Sequence, residues 1–166
     1  MDVEKILKIK SDDGTIIELT SKAASKSSVI RGLMEDYPDN DELPLPKNTV
    51  YGKELEKIKE YLIHYQDIDE PPKIAKPLNS NDFKECWETE WDYNFLGDNN
   101  NEILALIRAA NYLDIKPLLE LASAKIACKI RGTTTESIRK DFGIDNINKD
   151  EEKQINEDKI YLEKNL

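Results

Sequence analysis

The sequence predicts an α+β fold, in which a small sheet with helices packed on it is followed by a run of helices. Short stretches of alternating apolar and polar residues near the amino terminus indicate strands. Apolar residues at helical spacing dominate from residue 101 onward. Strands that precede helices, without regular alternation of the two, are typical of α+β domains. A chain of 166 residues has room for one such domain with a helical extension.

The amino-terminal segment predicts a β-hairpin followed by two short helices. Residues 7–10 alternate between aliphatic and lysine side chains, residues 12–14 have the sequence Asp-Asp-Gly, and residues 15–19 are rich in β-branched side chains. Two such segments around a turn of this composition are typical of a hairpin. Residues 21–25 and 28–34 then have the composition of short helices.

The middle of the chain predicts an edge segment, a helix and a linker. Residues 43–46 have the sequence Leu-Pro-Leu-Pro, and each proline lacks the N–H that an inner strand needs, so we expect an edge segment or an extended turn. Leucine and isoleucine recur at helical spacing in residues 52–65, which indicates an amphipathic helix. Residues 66–82 contain three prolines and no periodicity. We expect a mobile linker there.

The carboxyl-terminal half predicts a succession of helices. The first, which includes Ile103, Leu104, Leu106 and Ile107, is apolar on all sides, so we expect it to be central. Signals for helix ends mark the others. The expected boundaries are Pro117 and Gly132 for the second helix, Thr133 or Thr134 and Gly143 for a short third, and Asn148 for the start of the last.

Composition excludes several classes of function. The formal net charge is -10, so the surface repels nucleic acids and anionic membranes. A single histidine, His64, and two cysteines remote in sequence, Cys86 and Cys128, predict no metal site, and no motif indicates a cofactor. No stretch reaches the roughly 18 apolar residues of a membrane span. We expect a soluble protein of a reducing compartment, in the cytoplasm and nucleus.

Catalysis has little support in the sequence. It contains no phosphate-binding loop, dinucleotide-binding fingerprint or nucleophile-elbow motif. His64 is a candidate general base for a small hydrolase, but a partly exposed polar residue is the simpler interpretation. We therefore expect no enzymatic activity and no small-molecule substrate.

Three large aromatic residues, Trp87, Trp91 and Phe95, recur at every fourth position. This spacing suits one face of a helix, which either packs in the core or offers a stacking platform to a ligand, and we favour the core. Cys128 has small neighbours on its predicted helix, where a packed thiol is favoured over a reactive one.

The last fifty residues contain more apolar side chains than thin helices can bury among themselves. From the pattern alone, two interpretations stay open. Either these helices fold back on the first half of the chain, or some of their apolar surface binds another protein.

Two segments, Ala109–Leu119 (AANYLDIKPLL) and Ile138–Ile144 (IRKDFGI), carry a family resemblance. Together with the acidic segment DEEKQI they resemble the S-phase kinase-associated protein family, the adaptors of SCF ubiquitin ligases. The first segment is shared in part with elongin C, whereas the others are specific to the Skp branch. The hairpin, the acidic loop and the segment WDYNFL follow in the family's order, so the resemblance covers nearly the whole chain.

The resemblance implies a BTB/POZ-like domain over residues 1–130, which binds a cullin, and a helical extension over residues 131–166, which completes an F-box-binding surface. The positions that match the family's cullin contacts are Leu104, Asn111 and Tyr112. An amide and a phenol at a helix end are suited to anchoring a partner, since the tyrosine ring also buries area.

The resemblance also assigns an F-box surface. The matching positions are Leu119, Ile126, Ile130, Ile138, Phe142, Ile144 and Tyr161. These residues coincide with the apolar excess, so the resemblance favours a surface on which partner helices pack. Tyr161 stands where the family usually has a tryptophan. Arg108 stands at a usually apolar position of the central helix, and we expect its side chain to extend to the surface.

The implied function is that of a non-catalytic adaptor of an SCF-type ubiquitin ligase. It would bridge F-box substrate receptors to a cullin scaffold in ubiquitin-dependent protein degradation. The alternative is a subunit of non-ligase F-box complexes, of the kinetochore or vacuolar ATPase assembly type. A weak homodimer of the free protein is a further partner hypothesis.

Overall fold

The computed structural model describes residues 5–71, 73–87, 89–144 and 149–165. The chain divides into two compact units, Met1–Gly132 and Thr133–Leu166. The strands are β1 (Ile6–Lys10), β2 (Ile16–Thr20) and β3 (Glu42–Pro44). The helices are α1 (Ser21–Ala24), α2 (Ser28–Asp36), α3 (Gly52–His64), α4 (Phe83–Cys86), α5 (Glu90–Leu96), α6 (Asn100–Tyr112), α7 (Lys116–Ile130), α8 (Thr135–Phe142) and α9 (Lys149–Asn165). The predicted α+β class is confirmed.

The sheet is small and has β1 at its centre. Strand β2 pairs with β1 in antiparallel register, with Ile9 opposite Ile17, and β3 pairs with β1 in parallel, with Ile9 opposite Leu43. The predicted hairpin and the predicted edge segment are therefore both confirmed. Because strand side chains alternate between faces, one face of the sheet is buried and carries these three residues.

Asp13 fixes the hairpin turn to the start of α3. Its carboxylate accepts hydrogen bonds from the Ser11 hydroxyl, from the Thr15 N–H at 3.2 Å and from the Gly52 N–H at 2.9 Å. These donors, Ser11 first, hold the pKa of Asp13 well below its usual range. Gly52 has no room for a side chain, since an added Cβ would lie 2.7 Å from the Thr15 Cβ.

The core of the first unit lies between the buried face of the sheet and helices α1, α3, α6 and α7. Helix α6 packs against both α3 and α7, which agrees with the prediction of a central helix. It buries Ile103 and Leu106, while Leu104 and Ile107 are half-buried and Arg108 is exposed. The helix is therefore central although its burial is one-sided. Arg108 reaches the surface as expected.

Residues 73–82 form an irregular strap along α7. Lys76 Nζ lies 2.7 Å from a carboxylate oxygen of Glu120, and the Arg131 guanidinium donates a hydrogen bond to the Leu78 carbonyl at 2.8 Å. Ile74, in the strap, is buried. The described part of residues 66–82 contains neither helix nor strand, as predicted, whereas its mobility stays a prediction.

The second unit has well-defined ends for α8. Thr134, one of the two predicted caps, accepts a hydrogen bond from the Ser137 N–H at 3.3 Å. Gly143 ends the helix with a φ of 62°, and the Ile144 N–H then binds the Arg139 carbonyl at 2.8 Å, which is a Schellman arrangement. The predicted start of the last helix at Asn148 lies outside the described residues.

Candidate partner-binding surfaces

The end of α6, where Asn111 and Tyr112 lie, has a closely defined backbone. Asp114 has a φ of 51° and donates its N–H to the Asn111 carbonyl at 3.2 Å. The Ile115 N–H binds the Ala110 carbonyl at 2.9 Å. This Schellman motif satisfies carbonyl groups that a helix end otherwise leaves without partners. The backbone that carries the two predicted cullin contacts is therefore well fixed.

Helix α2 anchors the same helix end. The buried Ser27 hydroxyl donates to the Leu113 carbonyl at 2.6 Å and accepts from the Ile30 N–H at 3.1 Å, so one side chain caps α2 and holds α6. The Ser28 hydroxyl binds the Asp114 carboxylate. The bonds to Leu113 and Asp114 join segments 86 residues apart in sequence. They keep the end of α6 in place relative to the core.

The structure brings the predicted cullin contacts together on one side of α6. Leu104 is half-buried and Asn111 is exposed, and their separation of seven residues corresponds to about two helical turns, so they share a face. Tyr112 is half-buried on the neighbouring face. The resulting surface combines an aliphatic side chain, an amide and a phenol.

Sequence reasoning missed Tyr51 beside this surface and did not assign the exposed Arg108 to it. Tyr51 and Arg108 line a cleft of about 250 Å³ together with Tyr112 and the turn at Asn48. Tyr51 is 49% exposed and stands at the cap position of α3 without capping it. An aromatic residue at a position that prefers Ser, Thr, Asp or Asn is the signal that would have identified it.

The predicted F-box positions of the first unit form a stripe on α7. Leu119 and Ile126 are half-buried and Ile130 is 39% exposed. Their spacings of seven and four place them on one face of the helix. The other side of α7, with Leu118 and Leu121, is buried in the core. Helix α7 thus offers an aliphatic stripe beside the strap.

The predicted F-box positions of the second unit are poorly covered. Ile138 and Phe142 lie one turn apart on α8 and are half-buried, Ile144 is 53% exposed, and Tyr161 is 68% exposed. Among the side chains described in this unit, at positions 133–144 and 153–161, none is buried. These four residues and the α7 stripe belong to different units, so their union in one surface stays a prediction.

The candidate catalytic histidine, His64, is exposed and stacks on an aromatic ring. The His64 ring stacks on the Trp91 ring with centroids 3.6 Å apart, and Trp91 stacks on Phe95 at 4.8 Å. Trp87 lies between α4 and α5 in extended backbone, so the three aromatic residues do not share one helix face. Buried Asp92 accepts hydrogen bonds from Trp87 and Thr89. Phe95 is buried and stacks on Trp91, while Trp87 stacks on Phe83, as the core interpretation expects.

The described residues contain neither a candidate membrane span nor a candidate metal site. None of the described helices is long and apolar enough to cross a membrane. Within the same ranges, no group of three or more His, Cys, Asp or Glu side chains is arranged to hold a metal ion.

Comparison with known proteins places both halves of the chain in one family. Residues 5–67 match the Skp1 family tetramerisation (POZ) domain, and residues 116–160 match the Skp1 family dimerisation domain. The POZ match agrees with the predicted BTB/POZ-like fold.

Relatives of similar length support the same assignment. The "S-phase kinase-associated protein 1 homolog" of Tetrahymena thermophila is 38% identical over 159 residues, which cover 95% of this chain and 93% of the relative. The "E3 ubiquitin ligase complex SCF subunit sconC" of Emericella nidulans is 36% identical, over 96% and 98% of the two chains. The "SCF ubiquitin ligase complex protein SKP1a" of Dictyostelium discoideum is 34% identical, over 95% and 96%. The chain therefore belongs to the Skp1 family.

Proposed function

We propose that this chain is a non-catalytic adaptor of an SCF-type ubiquitin ligase, which holds an F-box protein on one surface and a cullin on another. The observation that carries the proposal is that relatives spanning nearly the whole chain are named as SCF ubiquitin ligase subunits. The geometry of the first unit supports it, because the end of α6 presents an amide and a phenol and α7 presents a separate aliphatic stripe.

The end of α6 is the proposed cullin contact. The Asn111 amide is exposed and both donates and accepts hydrogen bonds, while the half-buried Tyr112 contributes a ring and a hydroxyl. Their backbone is fixed by the Schellman motif and by Ser27. Little conformational entropy is therefore lost when a partner binds. Rigid aromatic and polar anchors of this kind are typical of interface hot spots.

The α7 stripe and the apolar residues of the second unit are the proposed F-box contacts. Aliphatic side chains at helical spacing pack against helices of a partner, with ridges of one entering grooves of the other. Covering apolar surface contributes about 25 cal/mol per Å². Ile144 and Tyr161 are more than half exposed, so they have surface left to bury in such a complex.

Bridging needs no bond chemistry from this chain. His64, the candidate base, is stacked on Trp91, and the role proposed here is to hold the substrate receptor and the scaffold at a fixed distance. We further propose that the protein acts in the cytoplasm and nucleus. Its net charge of -10 supports partners that are proteins rather than nucleic acids.

Binding to each partner tests the proposal. The full chain would be titrated by calorimetry with an F-box segment bearing its helices and, separately, with a cullin amino-terminal domain. The Asn111→Ala/Tyr112→Ala double variant should lose at least about tenfold in cullin affinity, which corresponds to about 1.4 kcal/mol, and keep its F-box affinity. The Ile126→Asp variant should show the opposite pattern, because it places an unpaired charge in an apolar contact.

The outcomes separate the candidate functions. Binding of both partners, with each variant impaired toward one of them, supports the bridging adaptor. Binding of the F-box segment without the cullin would assign the chain to a non-ligase F-box complex. Binding of neither partner by a folded protein would contradict the proposal.

A further inference from the structure

Two thiols that are remote in sequence meet at one carbonyl oxygen. Cys86 Sγ donates to the Ser80 carbonyl at 3.2 Å, and Cys128 Sγ points to the same oxygen at 3.8 Å. The two sulfur atoms are therefore no farther apart than the sum of these distances. Cys86 is the last residue of α4, Cys128 lies in the last third of α7, and both are free thiols.

Local structure holds this pair in place. Asp82 caps α4 by accepting the Lys84 N–H at 2.9 Å, and α4 packs against α7. Arg131, one turn beyond Cys128, donates to the Leu78 carbonyl at 2.8 Å. The strap is thus bound to α7 through the Leu78 carbonyl. It then continues directly into α4, which carries Cys86. The proximity of the sulfurs is a property of the packed fold.

We propose that Cys86 and Cys128 form a reversible intramolecular disulfide that staples α4, and with it the adjoining end of the strap, to α7. Both cysteines stay as thiols in a reducing compartment, where disulfides are generally transient and respond to redox state. The staple forms when the ratio of glutathione disulfide to glutathione rises. This inference concerns the chain alone and does not depend on its adaptor role.

The chemistry is two successive thiol–disulfide exchanges. The Cys86 thiolate attacks one sulfur of glutathione disulfide, a new S–S bond forms, and one glutathione leaves as its thiolate. The Cys128 thiolate then attacks the Cys86 sulfur of this mixed disulfide, and the second glutathione leaves. The two cysteines lose two electrons, which reduce the glutathione disulfide, and their two protons end on the two glutathione molecules. Cys86 reacts first because it is half-buried, whereas Cys128 is 5% exposed.

The surroundings of Cys128 make the second step dependent on pH. Burial raises the pKa of the Cys128 thiol to about 11, and the adjacent Cys86 and Asp82 add to this, while Arg131 opposes it. Only the thiolate attacks a disulfide. Below that pKa the thiolate fraction rises tenfold with each pH unit. The closing step should therefore accelerate about tenfold per unit between about pH 7 and pH 9.

Mass spectrometry of the full chain tests the staple. The reduced wild-type protein would be equilibrated in glutathione buffers of rising disulfide fraction, quenched with acid, alkylated and measured intact and after digestion. We expect a monomer that has lost the mass of two hydrogen atoms and a cross-linked peptide that joins Cys86 to Cys128. The Cys86→Ser and Cys128→Ser variants should accumulate only the glutathione adduct of the remaining cysteine.

The result that would overturn the proposal is equally specific. Wild-type protein that keeps its native circular dichroism yet yields only glutathione adducts or disulfide-linked dimers contradicts it. If a serine variant fails to fold, wild-type protein alkylated with N-ethylmaleimide before oxidation replaces it as the control. A second measurement is hydrogen exchange of residues 73–82, which should slow in the oxidised protein, and unchanged exchange would show that the strap is not stapled.

Discussion

The two compact units use their apolar side chains in different ways. In Met1–Gly132, residues such as Ile9, Ile30 and Ile58 are wholly buried, and thirty of the hydrophobic residues that the structure describes there form one core. In Thr133–Leu166, no described side chain is buried, although isoleucine recurs there at positions such as Ile155 and Ile160. The same residue type therefore stabilises the fold in one unit and is left exposed in the other.

The contrast shows that the local interactions that define a helix can be separated from the tertiary packing that buries it. Isolated helices shorter than about 12–15 residues are marginally stable in water. Helix α8, with eight residues, is below this length, whereas α9 has seventeen. The Thr134 cap and the Gly143 end define α8 from sequence-local interactions alone. Burial of its apolar face, which stabilises most helices in proteins, is what a bound partner would add.

The largest effect on stability is expected when isoleucine is replaced by alanine in the first unit, and the same replacement in the second unit is its comparison. Ile58→Ala should lower the free energy of unfolding by about 2–5 kcal/mol, because it leaves a cavity in the core. Ile155→Ala, at a position that is 51% exposed, should change it by less than about 0.5 kcal/mol. Urea unfolding followed by circular dichroism measures both. Equal effects of the two substitutions would show that the second unit has its own core.

The second-largest effect on stability is expected from a substitution at Gly52, where the first unit has no spare volume. Gly52→Ala forces a methyl group onto the Thr15 side chain and should cost about 1–3 kcal/mol in the same assay. Gly32→Ala is the matched control, since Gly32 lies inside α2 with open space at its Cβ and should gain up to about 1 kcal/mol. A neutral Gly52→Ala variant would indicate that the hairpin and α3 are loosely packed.

Helix caps give a third comparison. Ser27→Ala removes a buried hydroxyl that serves both Ile30 and Leu113, and should lower stability by about 1–2 kcal/mol. Thr134→Ala removes a cap from α8 and should leave the urea midpoint of the first unit unchanged, while amides of residues 135–142 exchange faster. A shift of the urea midpoint in Thr134→Ala would couple the two units in folding.

The smallest effect is a dependence on pH. The pKa of Asp13 lies below its ordinary value of 3.8 in the folded state, so the ionised form stabilises the fold above that value and this contribution is lost as the pH falls below it. Asp13→Asn should therefore be less stable than wild type at pH 7, and the difference should shrink below about pH 4. Urea midpoints across this range measure it, and a difference that is constant with pH would exclude the carboxylate charge as the cause.

Local patterns in the sequence were sufficient for much of the fold. Alternation and an Asp-Asp-Gly turn predicted β1 and β2, and Pro117 and Gly132 predicted the limits of α7. A choice between two adjacent threonines was open, and the structure selects Thr134 rather than Thr133, whose spacing to Glu136 resembled a capping box. Periodicity alone cannot rank neighbouring caps that are chemically equal.

Local sequence patterns could not predict contacts between distant segments. The strap lies on α7 because of partners such as Lys76 with Glu120, which are 44 residues apart. One-sided burial of α6 depends on which helices cover it, and the place of Tyr51 beside Tyr112 depends on how α3 packs on α6. Sequence reasoning identified Asn111 and Tyr112 through a resemblance, and their fixed backbone emerged only from the structure.

Hydrogen exchange with and without an F-box segment tests the central claim most directly, that the second unit obtains its burial from a partner. The amides of residues 135–142 and 153–161 should exchange markedly more slowly when the F-box segment is bound, while those of α3 in the first unit keep the same rates. Calorimetry in the same buffer would establish that the segment is bound. Unchanged exchange in the second unit of a saturated complex would contradict the account.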